Sequence, residues 1–163
     1  MKTAVYPGSF DPVTKGHLDI IERAAAIFDK VVVVAMVNSK KTAVFSLEER
    51  CSFLERCTKK YPNVEVKTSD SLLAEWVNSI GDCVLVKGLR AVSDFEREFK
   101  MAHINRKLNP KLETLFLPTT EEYLYLSSSV VKEVCSLGGD ISSFVDDEIL
   151  DEVKNKLLRG VKR

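Results

Sequence analysis

One segment near the start of the chain combines a rigid turn with a histidine. Residues 6–17 read YPGSFDPVTKGH and contain two prolines and two glycines before the expected start of a helix. The free amides and the dipole of a helix start favour an anion, and Gly16 would let a ligand approach the backbone. His17, in the first turn, could donate a hydrogen bond to a phosphate. Because the helix dipole opposes protonation of its ring, the donor can be the neutral ring as well as the cation. The alternative is a capped turn whose histidine only binds the backbone.

Two further segments bring cations to the ends of expected strands. Lys40 and Lys41 follow the apolar run 31–37, where paired lysines form either a solvated face or a phosphate site. Lys87 and Arg90 flank a glycine in KGLRAVSD, residues 87–94. A lysine supplies a point charge and an arginine a planar fork, and both suit a phosphate. The alternative is a surface loop with ordinary charges.

A run of three serines opens a later helical pattern. Ser127, Ser128 and Ser129 precede VVKE, residues 130–133. Serines at such a position cap a helix, and their hydroxyls and the free amides nearby also suit a phosphate. The chain has neither a Walker lysine motif nor G-x-G-x-x-G, which excludes a P-loop and a dinucleotide fingerprint.

Five short β-rich runs alternate with helical patterns and must position these segments. The runs cover residues 3–6, 31–37, 64–66, 83–86 and 114–117, the third helical pattern covers 72–80, and the last covers about 147–158. This alternation predicts an α/β fold with a doubly wound, five-stranded parallel sheet and helices on both faces. Ligands bind such sheets beyond the carboxyl ends of the strands, where the strand order reverses. We therefore expect the site in the segments that follow residues 6, 37, 66, 86 and 117.

Composition limits the class of protein. The 163 residues are 45% apolar and 29% charged, which predicts a single globular domain over 1–163 and excludes disorder as the main state. The 24 basic and 24 acidic residues cancel, so we expect no nucleic-acid partner and no membrane partner. Four cysteines without a C-x-x-C pair, beside two histidines, argue against structural zinc. Without a signal peptide or a long apolar run, we expect a cytoplasmic protein with reduced, mostly buried thiols.

Four motifs in sequence order resemble one enzyme family. Thr14-Lys15-Gly16-His17 resembles the (H/T)-x-G-H motif of the nucleotidyltransferase superfamily, and the serine run with VVKE resembles its second signature. KGLRAVSDFE, residues 87–96, and MAHIN, residues 101–105, narrow the resemblance to the bacterial phosphopantetheine adenylyltransferase family. The resemblance extends from Tyr6 to about Val145.

The resemblance implies a Rossmann-like fold, usually in a homohexamer. It also implies a reaction in which ATP and 4′-phosphopantetheine give dephospho-coenzyme A and pyrophosphate, with Mg²⁺, and in which His17 contacts the ATP phosphates and stabilises the transition state. By the same resemblance, ATP would contact Ser9, Phe10, His17, Gly88, Leu89, Arg90, Glu98, Tyr123, Leu124, Tyr125, Leu126, Ser127, Ser128 and Ser129. The residues implied for 4′-phosphopantetheine are Ser9, Lys41, Leu73 and Lys87. No protein ligand for Mg²⁺ can be assigned, since this ion often binds through nucleotide phosphates and water.

Two positions depart from the family's usual pattern, and two other functions stay open. Lys87 stands where the family commonly has arginine, which removes a bidentate fork, and Ser9 stands where threonine is common, which keeps the hydroxyl. A nucleotide-binding module without catalysis would bind ATP and release no pyrophosphate. An enzyme of the same fold could instead use another acceptor, such as nicotinamide mononucleotide or a cytidylyltransferase substrate.

Overall fold

The sheet is parallel throughout. In the computed structural model, which describes residues 2–37 and 42–161, five strands pair in the order β3-β2-β1-β4-β5. The strands are β1 (Thr3–Gly8), β2 (Lys30–Met36), β3 (Val64–Ser69), β4 (Cys83–Leu89) and β5 (Glu113–Pro118). The predicted doubly wound, five-stranded sheet is confirmed. The strand order reverses between β1 and β4, so the crevice for a ligand lies beyond the carboxyl ends of these two strands.

Helices cover both faces of the sheet. Across residues 2–37 and 42–161 they are α1 (Lys15–Ile27), α2 (Leu47–Thr58), α3 (Leu73–Trp76), α4 (Val92–Leu108), α5 (Ser128–Ser136) and α6 (Leu150–Val161). Alternate residues of a strand point to opposite faces. Ala4 and Tyr6 of β1 therefore join a core cluster with apolar residues of α1, α2, α5 and α6. Val5 joins a second cluster with the segment around α3.

Several predicted boundaries differ from the observed ones; β1 and β3, for example, continue past residues 6 and 66 to Gly8 and Ser69. β4 extends through Lys87, Gly88 and Leu89, which were expected in the loop after it, because their backbone pairs with β5 whatever the polarity of the side chains. The third helix is one α turn followed by the 3₁₀ turn Val77–Ser79, because a 3₁₀ turn also keeps apolar residues three apart on one face. The last helix begins at Leu150 rather than near residue 147, since an Asp146 side chain that accepts from Glu148 N–H closes a turn first.

The exposure of the cysteines and the length and polarity of the helices can be compared with the predictions of buried thiols and of no membrane partner. The four cysteines are free, with Cys57 and Cys135 buried and Cys51 and Cys83 half-buried, so only two of the four fit the expectation of buried thiols. Within the described ranges, each helix is too short or too polar to cross a membrane.

Candidate active site

His17 is held by the start of α1. The Thr14 hydroxyl accepts a hydrogen bond from the His17 backbone N–H at 3.4 Å, and His17 Nδ1 accepts one from the Thr14 N–H at 3.0 Å. This is a capping box with histidine in the place of the usual glutamate or glutamine. Because a backbone N–H can only donate, Nδ1 is unprotonated and the neutral ring carries its proton on Nε2. One ring nitrogen therefore caps the helix, and the other keeps an N–H donor.

Phe10 supports the His17 ring from the core. Its ring is 2% exposed and makes edge-on contacts with His17 and Tyr6, at centroid distances of 5.1 and 5.4 Å. The φ of Phe10 is 47°, a left-handed conformation that is costly for a residue other than glycine. A Cβ at Gly8 would come within 2.9 Å of the Phe10 ring, which explains the glycine at the end of β1. Any contact of Phe10 with ATP would be made by its backbone rather than by ring stacking.

Two cations lie near the His17 ring. Burial, followed by the positive charges of Arg90 and Lys87, lowers the pKa of His17 from 6.5 to about 4. The ring is therefore neutral at physiological pH. The same two cations that disfavour a charge on the ring favour an anion beside it.

Arg90 connects two predicted parts of the site. Its Nη1 donates to the carbonyl oxygen of Leu126 at 2.7 Å, and its Nε lies 3.0 Å from a carboxylate oxygen of Asp94. The end of β4 is thereby tied to the segment that leads into α5. Lys87, on the same strand, forms an ion pair with Glu98 of α4 at 3.2 Å, and both side chains are mostly buried.

The serine run begins α5 and contacts the loop after β1. Ser127 is the N-cap, and its hydroxyl accepts from Val130 N–H at 3.1 Å, as the capping interpretation predicts. The Ser128 hydroxyl donates to the carbonyl oxygen of Pro12 at 2.7 Å. Ser129 is exposed. The serines therefore lie beside the segment that leads to His17.

The start of α1 also touches the segment before the serines. A Cβ at Gly16 would lie 3.3 Å from the Cβ of Tyr123 and 3.8 Å from the side chain of Leu126. The Tyr125 side chain is 86% exposed. Three elements therefore meet at the reversal of strand order: the start of α1, the end of β4 and the segment before α5.

Comparison with known proteins shows the family of this chain. A cytidylyltransferase-like family model matches residues 5–134. A phosphopantetheine adenylyltransferase of Clostridium perfringens strain SM101 is 50% identical over 162 residues, which cover 98% of this chain and 99% of that protein. The chain belongs to the phosphopantetheine adenylyltransferase family. The phosphopantetheine adenylyltransferase of Caldanaerobacter subterraneus subsp. tengcongensis is 51% identical over 160 residues, 98% of this chain and 100% of that protein.

Solved structures support the fold of the family. A nicotinic acid mononucleotide adenylyltransferase of Plasmodium falciparum superposes with a TM-score of 0.68 at 13% identity, over 98% of this chain and 96% of the other. At that identity the likeness shows the nucleotidyltransferase fold alone. The predicted Rossmann-like fold and the resemblance to phosphopantetheine adenylyltransferases are thus confirmed.

The structure brings together most of the residues that the motifs predict for an adenylyltransferase site. Contacts join Phe10 to His17, Lys87 to Glu98 and Arg90 to Leu126, and they bring Tyr123 and Ser128 against the start of α1 and the loop before it. The other predicted residues of this group are chain neighbours of these: Ser9, Gly88, Leu89, Leu124, Tyr125, Ser127 and Ser129. Leu73 is instead the first residue of α3 and packs against the second core cluster. Lys41 lies outside the described residues. A cavity of about 740 Å³ occupies the opposite edge of the sheet, and its described lining, which includes Cys83 and Asn109, contains none of the predicted site residues.

Two buried charged residues beside the site received no predicted role. Asp11 accepts hydrogen bonds from the N–H groups of Val44 and Phe45, at 3.1 and 2.8 Å, and pairs with Lys132 of α5 at 2.9 Å. Burial raises the pKa of Asp11, but the hydrogen bonds from Lys132 and from the two amides lower it by more than burial raises it. The pKa of Asp11 therefore lies below its usual value. Arg50 is 4% exposed. One sequence feature does point to Arg50: it shares the spacing of the buried residues 53, 54 and 57 of α2, so a cation occupies the apolar face.

Proposed function

We propose that this chain transfers the adenylyl group of ATP to 4′-phosphopantetheine, with release of pyrophosphate and formation of dephospho-coenzyme A. The full-length identity to phosphopantetheine adenylyltransferases supports the choice of substrates. The observation that carries the chemistry is the His17 ring, whose tautomer leaves an Nε2–H donor beside Arg90 and Lys87 at the reversal of strand order.

The reaction needs alignment and charge stabilisation rather than a covalent intermediate. A phosphate oxygen of 4′-phosphopantetheine attacks the α-phosphorus of ATP, and the bond to pyrophosphate breaks on the opposite side. The attacking oxygen is already anionic, so no general base is required. Positioning of the two reactants lowers the barrier by about 7–11 kcal/mol. His17 donates from Nε2 to the charge that develops as pyrophosphate leaves, with Arg90 as a second positive partner.

The two substrates divide the remaining predicted residues. ATP lies against the end of β4 and the segment before α5, where the serine run supplies hydroxyls. The acceptor phosphate lies near Ser9 and Lys87. By the family resemblance, Lys41 would bind the same phosphate and Leu73 would contact the pantetheine arm. Support for Lys87 is its mostly buried position beside His17; support for Ser9 is its exposed place directly after β1.

Mg²⁺ fits this site through the substrates. Among the described residues, no cluster of three His, Cys, Asp or Glu side chains could hold a metal ion. Asp11, the buried carboxylate of the loop, already pairs with Lys132. Mg²⁺ would therefore bind phosphate oxygens and water, as this ion often does, and would neutralise charge on the triphosphate. Removal of Mg²⁺ with EDTA should abolish pyrophosphate release, and added Mg²⁺ should restore it.

We also propose a homohexamer in the cytoplasm. Support comes from α4, where the apolar side chains of Phe95, Phe99 and Leu108 are 42–54% exposed. Exposed apolar side chains on one helix suit a subunit interface. Light scattering should give six times the 18.3 kDa mass of one chain, and a monomer would contradict the proposal. The free cysteines are consistent with a reducing compartment.

A pyrophosphate-release assay with a panel of acceptors tests the activity. ATP with 4′-phosphopantetheine should release pyrophosphate, and ATP alone, nicotinamide mononucleotide or nicotinic acid mononucleotide should not. Release with a mononucleotide in place of 4′-phosphopantetheine would keep the fold and change the acceptor. ATP binding without release under any condition would mean a binding module and would refute the proposal.

A further inference from the structure

Arg50 lies inside the protein at the carboxyl edge of the sheet. It is in the first turns of α2, and 4% of the residue is exposed. Within residues 2–37 and 42–161, its guanidinium forms no ion pair with a carboxylate. A buried charge is costly unless it is hydrogen-bonded, so the bonds that Arg50 makes must account for its position.

The hydrogen bonds of Arg50 go to three separate segments. Nη1 donates to the carbonyl oxygen of Ser9 at 2.7 Å and to that of Met36 at 3.0 Å, and Nε donates to that of Phe45 at 3.2 Å. Met36 is the last residue of β2, and Phe45 lies two residues before α2. One planar side chain thus joins the end of β2 and the start of α2 to the loop that follows β1.

Ser9 begins the part of the loop that supports His17. Phe10, the next residue, has a left-handed backbone and carries the ring that contacts His17. Asp11 follows and is bound by Lys132 and by the amides of residues 44 and 45. The Ser9 carbonyl is the point at which Arg50 fixes this loop relative to β2.

We propose that Arg50 is a positioning residue for adenylyl transfer, which holds the Ser9 hydroxyl and the His17 imidazole in place by fixing the Ser9 carbonyl against the end of β2. Arg50 touches neither substrate in this role. The inference rests on the proposed function. The directions of the hydrogen bonds from Nε and Nη1 of Arg50 explain why this position holds arginine, because the single ammonium group of lysine cannot reproduce them.

Kinetics of Arg50→Met and Arg50→Lys test the proposal. Displacement of a reacting group by about 1 Å can cost about 100-fold in rate, so kcat of Arg50→Met should fall by about 10- to 100-fold. The KM for ATP should change by less than about threefold, because a misplaced transition-state donor affects turnover more than binding. Arg50→Lys should recover part of the loss. Arg56→Met is the matched control: this arginine of α2 pairs with Glu152 at 2.6 Å, and its loss should leave kcat within about twofold.

A double-mutant cycle separates positioning from general loss of structure. If Arg50 acts through His17, Arg50→Met should cost less than about threefold in a His17→Ala background. An equal cost in both backgrounds, or a folded Arg50→Met with wild-type kcat, would overturn the proposal.

Amide hydrogen exchange tests whether Arg50 fixes the loop even if the wild type releases no pyrophosphate. Arg50→Met should speed exchange of the Val44 and Phe45 amides by about tenfold or more and leave the amides of β4 unchanged. Unchanged exchange at Val44 and Phe45 would refute the fixation of the loop. Inactivity of the wild type with every acceptor would refute the proposed function instead, and the exchange result would then stand for the loop alone.

Discussion

Replacement of His17 separates its proposed catalytic role from its role in the stability of α1. His17→Ala removes the Nε2–H donor, the Nδ1 acceptor that caps α1, and the edge-on contact with Phe10. His17→Gln keeps an acceptor at the capping position, because glutamine is a usual residue of a capping box, and moves the remaining N–H. The pair of variants therefore distinguishes catalysis from helix stability.

The expected magnitudes follow from these contacts. One donor to developing charge contributes about 3–4 kcal/mol, so kcat of His17→Ala should fall by about two to three orders of magnitude. Loss of the cap costs about 1 kcal/mol, and loss of the aromatic contact costs about 0.5–1.5 kcal/mol. A loss of about 2 kcal/mol in a 163-residue chain should lower Tm by about 4–8 °C.

The assay combines pyrophosphate release at saturating substrates with thermal unfolding. His17→Gln should regain much of the Tm and remain at least tenfold slower than the wild type. The KM for ATP should change much less than kcat in both variants. A His17→Ala enzyme with more than a tenth of the wild-type kcat would refute the donor role. Parallel recovery of Tm and kcat in His17→Gln would assign the loss to the cap.

Three further predictions concern pH, a half-buried ion pair and a close contact. The pKa of His17 is about 4 in the folded chain and 6.5 when unfolded, so the unfolded state binds the proton more tightly. Urea titrations should therefore show that the free energy of unfolding falls by about 3 kcal/mol from pH 6.5 to 4 because of His17, and His17→Gln should reduce this fall. An equal fall in the variant would contradict the assignment to His17. Asp11→Asn breaks a half-buried ion pair and should lower the free energy of unfolding by about 1–2 kcal/mol, as measured by urea unfolding. Glu113→Gln, at the exposed pair with Arg106, should leave the urea midpoint unchanged, and equal effects of the two substitutions would contradict a role of the Asp11 pair in stability. Gly88→Ala would place a Cβ 2.9 Å from a side chain of α1 and should lower the free energy of unfolding by about 1–3 kcal/mol. Gly160→Ala, in open space on α6, should raise it by about 0.5–1 kcal/mol. Urea unfolding measures both changes, and a stabilised Gly88→Ala would contradict the close packing.

The strands and most helices were predictable because their patterns are local. The apolar run 31–37 predicts a strand buried on both faces, and β2 is such a strand. The end of β4 was not predictable from polarity, because Lys87 continues the strand and meets its counter-charge, Glu98, on α4. The start of a helix with capping residues was predictable to within a residue or two, as at the serine run, where Ser127 caps α5.

The candidate site was predictable where topology brings loops together and not where a bond joins distant residues. Parallel strands end at one edge, so the segments of His17, Arg90 and Ser128 had to converge. The bond from Arg50 to the Ser9 carbonyl joins residues 41 positions apart, and no local pattern encodes it.

The sequence by itself determined the order of strands and helices along the chain, the edge of the sheet at which the motif segments meet, and the residue types that lie there. These follow from side-chain periodicity, cap residues and motif spacing, which act over a few residues. Only the tertiary structure decided the protonated nitrogen of His17, the neutral state of its ring, and the buried bonds of Asp11 and Arg50. Those properties depend on burial and on the field of charges that are distant along the chain, and both exist only once the chain has folded.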